Sequence, residues 1–233
     1  MSAVQALVIL QARFGSSRLP GKVLAELDGV ALVVHCLRRL TAANVGEVCL
    51  ATTTRADDDE VAAAGIREGA RVFRGAVDDV LGRFAAAAAG FGGTFVIRAT
   101  ADNPAVDVEA AGRVLEHLVG GADYVVETGL PYGCAVEGIR LDVMRQADKL
   151  AVDAYDREHV TPWIQARPAA FCAVAPQAPP ALARPDLRFT IDTPADLVYM
   201  RRVLREARAG ASTVALHDII AAADRLAEQD GAA

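Results

Sequence analysis

Short unbroken apolar runs alternate along this chain with longer stretches whose apolar positions recur every three or four residues. Residues 4–10 (VQALVIL) read as a buried strand, and residues 31–40 place Leu32, Cys36 and Leu40 at helical spacing. Residues 47–52 (EVCLAT) form a second strand signal. Residues 57–68 read as a helix with three aspartates at its start, where the helix dipole favours them. The same rhythm predicts strands at 70–73, 94–97 and 123–126, with helices at 78–89, ended by Gly90, and at 107–119. Such βαβα repetition predicts an α/β fold with a mainly parallel, doubly wound sheet. Ligands on such a sheet lie beyond the carboxyl ends of its strands.

The rhythm breaks at residues 127–140 (ETGLPYGCAVEGIR), a Gly- and Pro-containing stretch that reads as an excursion or a β-arm. Helices are expected at 142–152 and 158–166, and strands at 171–175 and 187–191, separated by the Pro/Ala-rich 176–185. Two closing helices are expected at 194–208 and 213–228, the second capped by Ser212.

Length and composition then narrow the classes. The 233 residues suit one domain, and 53% hydrophobic residues supply a sizeable core. A formal net charge of −6 argues against a general nucleic-acid binder. No signal-peptide pattern opens the chain and no apolar run approaches membrane length, so a soluble cytoplasmic protein is expected. The four cysteines are scattered without a CxxC pair and read as reduced thiols, with Cys134 the one expected in a polar setting.

Against this acidic background, the segment QARFGSSRLPGK (residues 11–22) stands out, because three cations follow the first strand with no carboxylate among them. Gly15 and Gly21 let backbone N–H groups approach an anion, Arg13 and Arg18 can fork onto phosphate oxygens, and Lys22 adds a point charge. The segment is neither a P-loop, since Val23 follows Lys22, nor a dinucleotide fingerprint, since Pro20 interrupts it. The bland alternative is a basic surface turn.

Asp102 and Asp192 each follow a predicted strand and so fall at the edge where this loop lies. Two carboxylates converging on a phosphate site suit Mg²⁺, which takes one or two carboxylates plus phosphate oxygens. Helix capping is the competing role, more so for Asp192 than for Asp102. Arg74 and Gly75 follow the third strand, where they could sit beside a base or ribose, and Thr52, Thr53 and Thr54, after the second, could offer hydroxyls to a base edge. Asp78 or Asp79 could simply open a helix. Arg157, Glu158 and His159 form a further polar cluster, and Glu137 sits in a glycine-flanked loop on the prospective acceptor side.

Six stretches in order, QARFGSSRLPGKVL, VFRGAVDDVLGRF, IRATADNPAVD, LPYGCAVE, DREHVTP and FTIDTPADL, resemble cytidylyltransferases of the spore-coat polysaccharide biosynthesis protein F type, relatives of enzymes that make CMP-activated keto-sugars. The resemblance implies a three-layer α/β/α Rossmann-like fold of the nucleotide-diphospho-sugar transferase type, with CTP as co-substrate and Mg²⁺ as cofactor. It implies that Gln11, Arg13, Gly15, Ser16, Arg18 and Lys22 hold the triphosphate, and that Asp102 and Asp192 bind the metal. Thr52, Thr53, Arg74, Gly75 and Asp78 would lie near cytosine and ribose, and Arg98 would reach phosphate or base. Glu137, Arg157, Glu158 and His159 would face a small-molecule acceptor. Related enzymes often pair through the segment at 127–140, which implies a homodimer. The keto-sugar relatives carry a glutamine-containing sequence ahead of the first metal aspartate, where this chain has IRATAD, so the acceptor stays open. Rival readings are a glycosyltransferase of similar fold, which usually carries both metal aspartates on one loop, and a non-catalytic nucleotide-binding regulator.

Overall fold

The computed structural model describes residues 6–27, 29–207 and 214–231. Residues 4 and 5 of the first predicted strand and the predicted cap Ser212 lie outside the described residues. β1 (Ala6–Gln11) is buried on both faces, which is why its sequence is an apolar run rather than an alternation. It pairs in parallel with β2 (Glu47–Thr53) on one side and β4 (Phe95–Thr100) on the other. β3 (Arg71–Gly75) adds outside β2, again in parallel. The seven-stranded sheet has the order β3-β2-β1-β4-β6-β5-β7, with β5 (Tyr124–Val126), β6 (Glu137–Arg140) and β7 (Ala173–Val174) completing it.

Side-chain alternation along the strands divides the core in two. Val8, Leu10, Leu50 and Ile97 face α1 (Leu32–Ala42), α2 (Asp59–Arg67), α4 (Ala110–Val119), α8 (Pro194–Glu206) and α9 (Leu216–Gly231). Leu7, Ile9, Cys49 and Val96 face α3 (Val80–Phe91), α5 (Leu141–Leu150) and α7 (Pro162–Gln165). The result is the expected helix–sheet–helix sandwich, with a mainly parallel mixed sheet. No helix among the described residues is long and apolar enough to cross a membrane.

Three expectations need correction. First, Glu137–Arg140 is not an arm: as β6 it lies inside the sheet, antiparallel to both β4 and β5. Its short apolar content hid it, because Gly138 stands where α4 presses closest. A Cβ at Gly138 would lie 2.4 Å from Val114 Cγ1 and 2.8 Å from Leu118 Cδ1. The residues before it also fold onto the chain, with Thr128 bridging Gln177 and Tyr132 bridging Arg188.

Second, residues 187–191 form no regular strand. Tyr132 exchanges hydrogen bonds with Leu187 and Phe189, and Ile191 N–H then donates to Asp102 O at 2.8 Å. Pairing switches partners within five residues, so no ladder forms, although Phe189 and Ile191 are fully buried. Likewise, the strand expected at 171–175 shrinks to the two residues of β7.

Third, the helix expected at 158–166 is two short ones, α6 (Ala154–His159) and α7. Pro162 has no N–H to continue the first, and Val160 turns the chain with φ at +74°.

Gly138→Ala is expected to lower the unfolding free energy by about 1–3 kcal/mol through overpacking against α4, read as a lower urea midpoint at unchanged slope. An unchanged midpoint would contradict the close strand–helix contact.

Candidate active site

The four leading strands run in parallel, so their carboxyl ends collect at one edge. Gln11 pairs in register with Thr100, and Thr53 with Gly75. The cationic loop leaves this edge from β1 and folds back on itself. Phe14 O accepts from both Ser16 N–H and Gly21 N–H at 2.9 Å. Gly21 makes the turn with φ at +72°, in a position where a Cβ would meet the Phe14 ring at 3.0 Å. Asp58 pins the loop from the other side. It is almost fully buried, accepts from Phe14 N–H at 2.6 Å and takes the Thr53 hydroxyl on its second oxygen.

The loop delivers Lys22 to the centre of the edge. Lys22 is 8% exposed, and its ammonium donates to Ile191 O at 2.7 Å, Asp102 Oδ2 at 3.0 Å and Asp192 Oδ1 at 3.2 Å. The two aspartates therefore meet at one point, as their positions after β4 and before α8 suggested. Asp192 is not the cap of α8: Thr193 is, in a reciprocal capping box with Asp196. Asp192 is instead ringed by cations, with Arg18 Nη2 at 2.8 Å on Oδ1 and Arg188 Nη2 at 2.5 Å on Oδ2. Arg188 stacks over the Tyr132 ring at 4.7 Å, which aims its fork at the aspartate. Asp102 differs. It is partly exposed, and among the described residues no donor meets its Oδ1.

Lys22, Asp102, Asp192 and Arg18 line a cavity of about 290 Å³. Of the residues proposed from sequence, Gln11, Arg13, Gly15, Ser16, Arg18, Lys22, Asp102, Asp192, Glu158 and His159 line it. Arg13 reaches across it to Glu158 at 3.6 Å. The donor set suits a hard divalent cation: two carboxylates of separate segments, one with an open oxygen, beside a cationic phosphate-sized loop.

The remaining candidates stand elsewhere. Thr52 and Thr53 are fully buried, and the Thr52 hydroxyl has no partner among the described residues. Arg74 is laced to the backbone, donating to Thr53 O at 2.8 Å and Arg55 O at 2.7 Å, and pairs with Asp59. Asp78 is exposed, and it is Asp79 that caps α3 by accepting from Gly82 N–H.

Arg157 does not face the cavity. Its guanidinium binds Asp79 at 2.5 Å and Asp148 at 2.8 Å, tying α6 to α3 and α5. Burial pushes the Asp79 carboxyl up, and the Arg157 and Gly82 hydrogen bonds more than offset this, holding it below its ordinary value.

Glu137 is likewise occupied. Arg98, its register partner on β4, takes Oε2, while the Tyr124 and Thr161 hydroxyls donate to Oε1 at 2.5 and 2.9 Å. Both residues thus build a polar joint between β4, β6 and α7 rather than an open subsite. Cys134, expected in a polar setting, is fully buried, and burial pushes its thiol up; Cys172 is the exposed cysteine.

Sequence reading missed Arg188 and Asp58. Arg188 lies one helical turn's spacing before Asp192 but in an extended segment, and Asp58 was counted with the helix-opening aspartates. Neither local sequence carried a sign of the contact, because Asp58 meets Phe14 and Arg188 meets the Tyr132 ring, both remote along the chain.

Comparison with known proteins places the chain in a family. A family model described as cytidylyltransferase matches residues 7–219. The spore coat polysaccharide biosynthesis protein SpsF of Bacillus subtilis is 33% identical over 208 residues, covering 86% of this chain and 87% of that protein. A cytidylyltransferase structure from Leptospira borgpetersenii superposes with a TM-score of 0.86 at 22% identity, over 97% of this chain and 96% of the other. A CMP:2-keto-3-deoxy-manno-octonic acid synthetase complexed with CTP superposes with a TM-score of 0.66 at 18% identity, over 86% and 98%. The two structures share the fold, and the family model together with the Bacillus relative carries the assignment: the chain belongs to the cytidylyltransferase family.

Proposed function

We propose that this enzyme transfers CMP from CTP to an oxygen of a sugar acid, phosphate or phosphonate acceptor, with release of pyrophosphate, in cell-surface polysaccharide or related glycan biosynthesis. The observation that carries the reading is the Lys22 ammonium held between Asp102 and Asp192, at the mouth of a loop bearing Arg13 and Arg18. A triphosphate needs concentrated positive charge and a divalent ion, and both can be supplied within one small cavity.

In the proposed reaction an acceptor oxygen attacks the α-phosphorus in line, the α–β phosphoanhydride bond breaks, and the electron pair leaves with pyrophosphate. Any proton on the acceptor oxygen is lost as the new P–O bond forms, and an acceptor already ionised needs no base. Arg13, Arg18 and Lys22 hold the triphosphate and stabilise the charge that collects on the leaving pyrophosphate. Glu158 and His159, which line the same cavity, would face the acceptor. Asp102 and Asp192 would hold Mg²⁺, whose contribution is to neutralise phosphate charge and orient the phosphates. Asp102 is the better placed of the two, since Oδ1 is open and the side chain is partly exposed. Most of the acceleration then comes from positioning and fixed charge.

Pyrophosphate release, followed with each NTP and a panel of acceptors, tests this reading. CTP should support release, and a chelator should abolish it until Mg²⁺ is restored in excess. Free nucleoside diphosphate in place of pyrophosphate would mark a glycosyltransferase instead. Asp102→Ala and Asp192→Ala should each reduce release to background while the circular dichroism of the fold is kept. Near wild-type turnover in either would remove that residue from the metal site. Lys22→Ala should cost about 3 kcal/mol of transition-state stabilisation, and an unchanged kcat/KM would exclude Lys22 from the chemistry.

A further inference from the structure

Arg83, on α3, is a buried arginine that the mechanism above does not use. It is 2% exposed, yet only Nη1 is engaged, donating to Ala76 O at 2.6 Å. Nε and Nη2 are buried with no partner among the described residues. These two N–H groups form the parallel fork with which a guanidinium grips a pair of adjacent acceptors. An unfilled buried fork is costly, so a ligand that fills it gains what the empty protein lacks.

Its place is the nucleotide edge of the sheet. Gly75, at the end of β3, allows the arginine stem to pass: a Cβ there would lie 3.1 Å from Arg83 Cγ. Asp58, Asp79 and Arg13 are its charged neighbours. Burial first, then Arg13, lowers the basicity of Arg83 to about 10, against the pull of the two carboxylates. With Asp58 and Asp79 already beside it, the fork suits a neutral pair of acceptors better than a further anion.

A second unpartnered atom lies on the same face of the sheet. Gln11 lines the cavity, and its Oε1 is buried without a donor. Strand alternation puts Gln11 on the face that α3 covers, with Leu7 and Ile9. One open donor fork and one open acceptor therefore flank the carboxyl end of β1.

We propose that Arg83 is the residue that reads the nucleobase. Its fork donates to N3 and O2 of cytosine, and Gln11 Oε1 accepts from the exocyclic N4–H. This rests on the CTP reading above and deepens it. Uracil offers N3–H and O4 at the same edge, setting donor against donor and acceptor against acceptor, so it is rejected by groups left unpaired rather than by size. The fork is covered in the free protein, so admission of the base requires a neighbour to move. Arg13 is the side chain for that, because its pairing with exposed Glu158 is long, at 3.6 Å, and the triphosphate draws it away.

Calorimetric titration of CTP and UTP into the full chain with Mg²⁺ present tests the assignment. Wild type should bind CTP at least about tenfold more tightly than UTP. Arg83→Met and Arg83→Lys should each lose about ten- to a hundredfold in CTP affinity and leave UTP affinity nearly unchanged, erasing the preference. Without nucleotide, Arg83→Met should melt at or above the wild-type temperature, because it removes an unfilled buried fork. That outcome is the opposite of what a structural arginine would give. Retention of the CTP preference in both variants would overturn the assignment and leave the CTP reading intact. A wild-type protein without a CTP preference would overturn the CTP reading, and this inference with it. Loss of the fold in both variants would make Arg83 structural and overturn the inference alone.

Discussion

The site depends on the three-way hold that Lys22 exerts. Its ammonium draws together Asp102 and Asp192, which stand 80 and 170 positions away along the chain, and anchors to the backbone of Ile191 between them. Pairs of this kind add little net stability, since well-packed apolar groups of the same size often do as well. Removal of one partner alone costs about 3–5 kcal/mol, because it leaves buried charge uncompensated. Retaining such a group at the mouth of a cavity makes sense for chemistry. The same three charges that satisfy each other in the free protein are those a metal–triphosphate complex would redistribute. Arg18 and Arg188 on Asp192 extend the arrangement, so that carboxylate keeps its position whichever cation it serves.

The scaffold supplies the convergence. Four parallel strands bring Gln11, Thr53, Gly75 and Thr100 to one edge by register alone. The antiparallel β6, closed over by α4 at Gly138, then continues the sheet where a further parallel strand would have needed another crossover. The Arg98–Glu137 pair and its hydroxyl donors lock β6 to β4 and α7, which carries the His159 end of α6 to the cavity rim. Residues that resemble an acceptor subsite in sequence thus act one layer back, holding the wall in place.

The alternation of apolar runs with helical spacing made β1 to β4 and α1 to α4 legible, because each is a local pattern that burial reinforces. The cationic loop was legible for a related reason: three cations without a carboxylate after a buried strand leave few bland roles. Asp102 and Asp192 could be located by their neighbours, although capping competed for Asp192 until Thr193 took that role. Other features depend on contacts remote in sequence. β6 is short and contains a glycine demanded by a helix some twenty residues earlier. The segment before Asp192 divides its hydrogen bonds between two distant stretches. Arg157 looked like part of a ligand cluster because His159 and Glu158 adjoin it, yet helical geometry turns it towards Asp79 and Asp148. Arg83 gave no signal at all, since an arginine on an alanine-rich helix reads as solvated until the fold buries its fork without partners among the described residues.

Crystals grown with CTP and Mn²⁺ offer the most direct test, because the anomalous signal of manganese marks the ion independently of the surrounding density. The account predicts one peak at the cavity rim within about 2.2 Å of carboxylate oxygens of both Asp102 and Asp192, with the Lys22 ammonium turned onto phosphate. A peak that touches neither aspartate, or nucleotide bound away from the loop after β1, would contradict it.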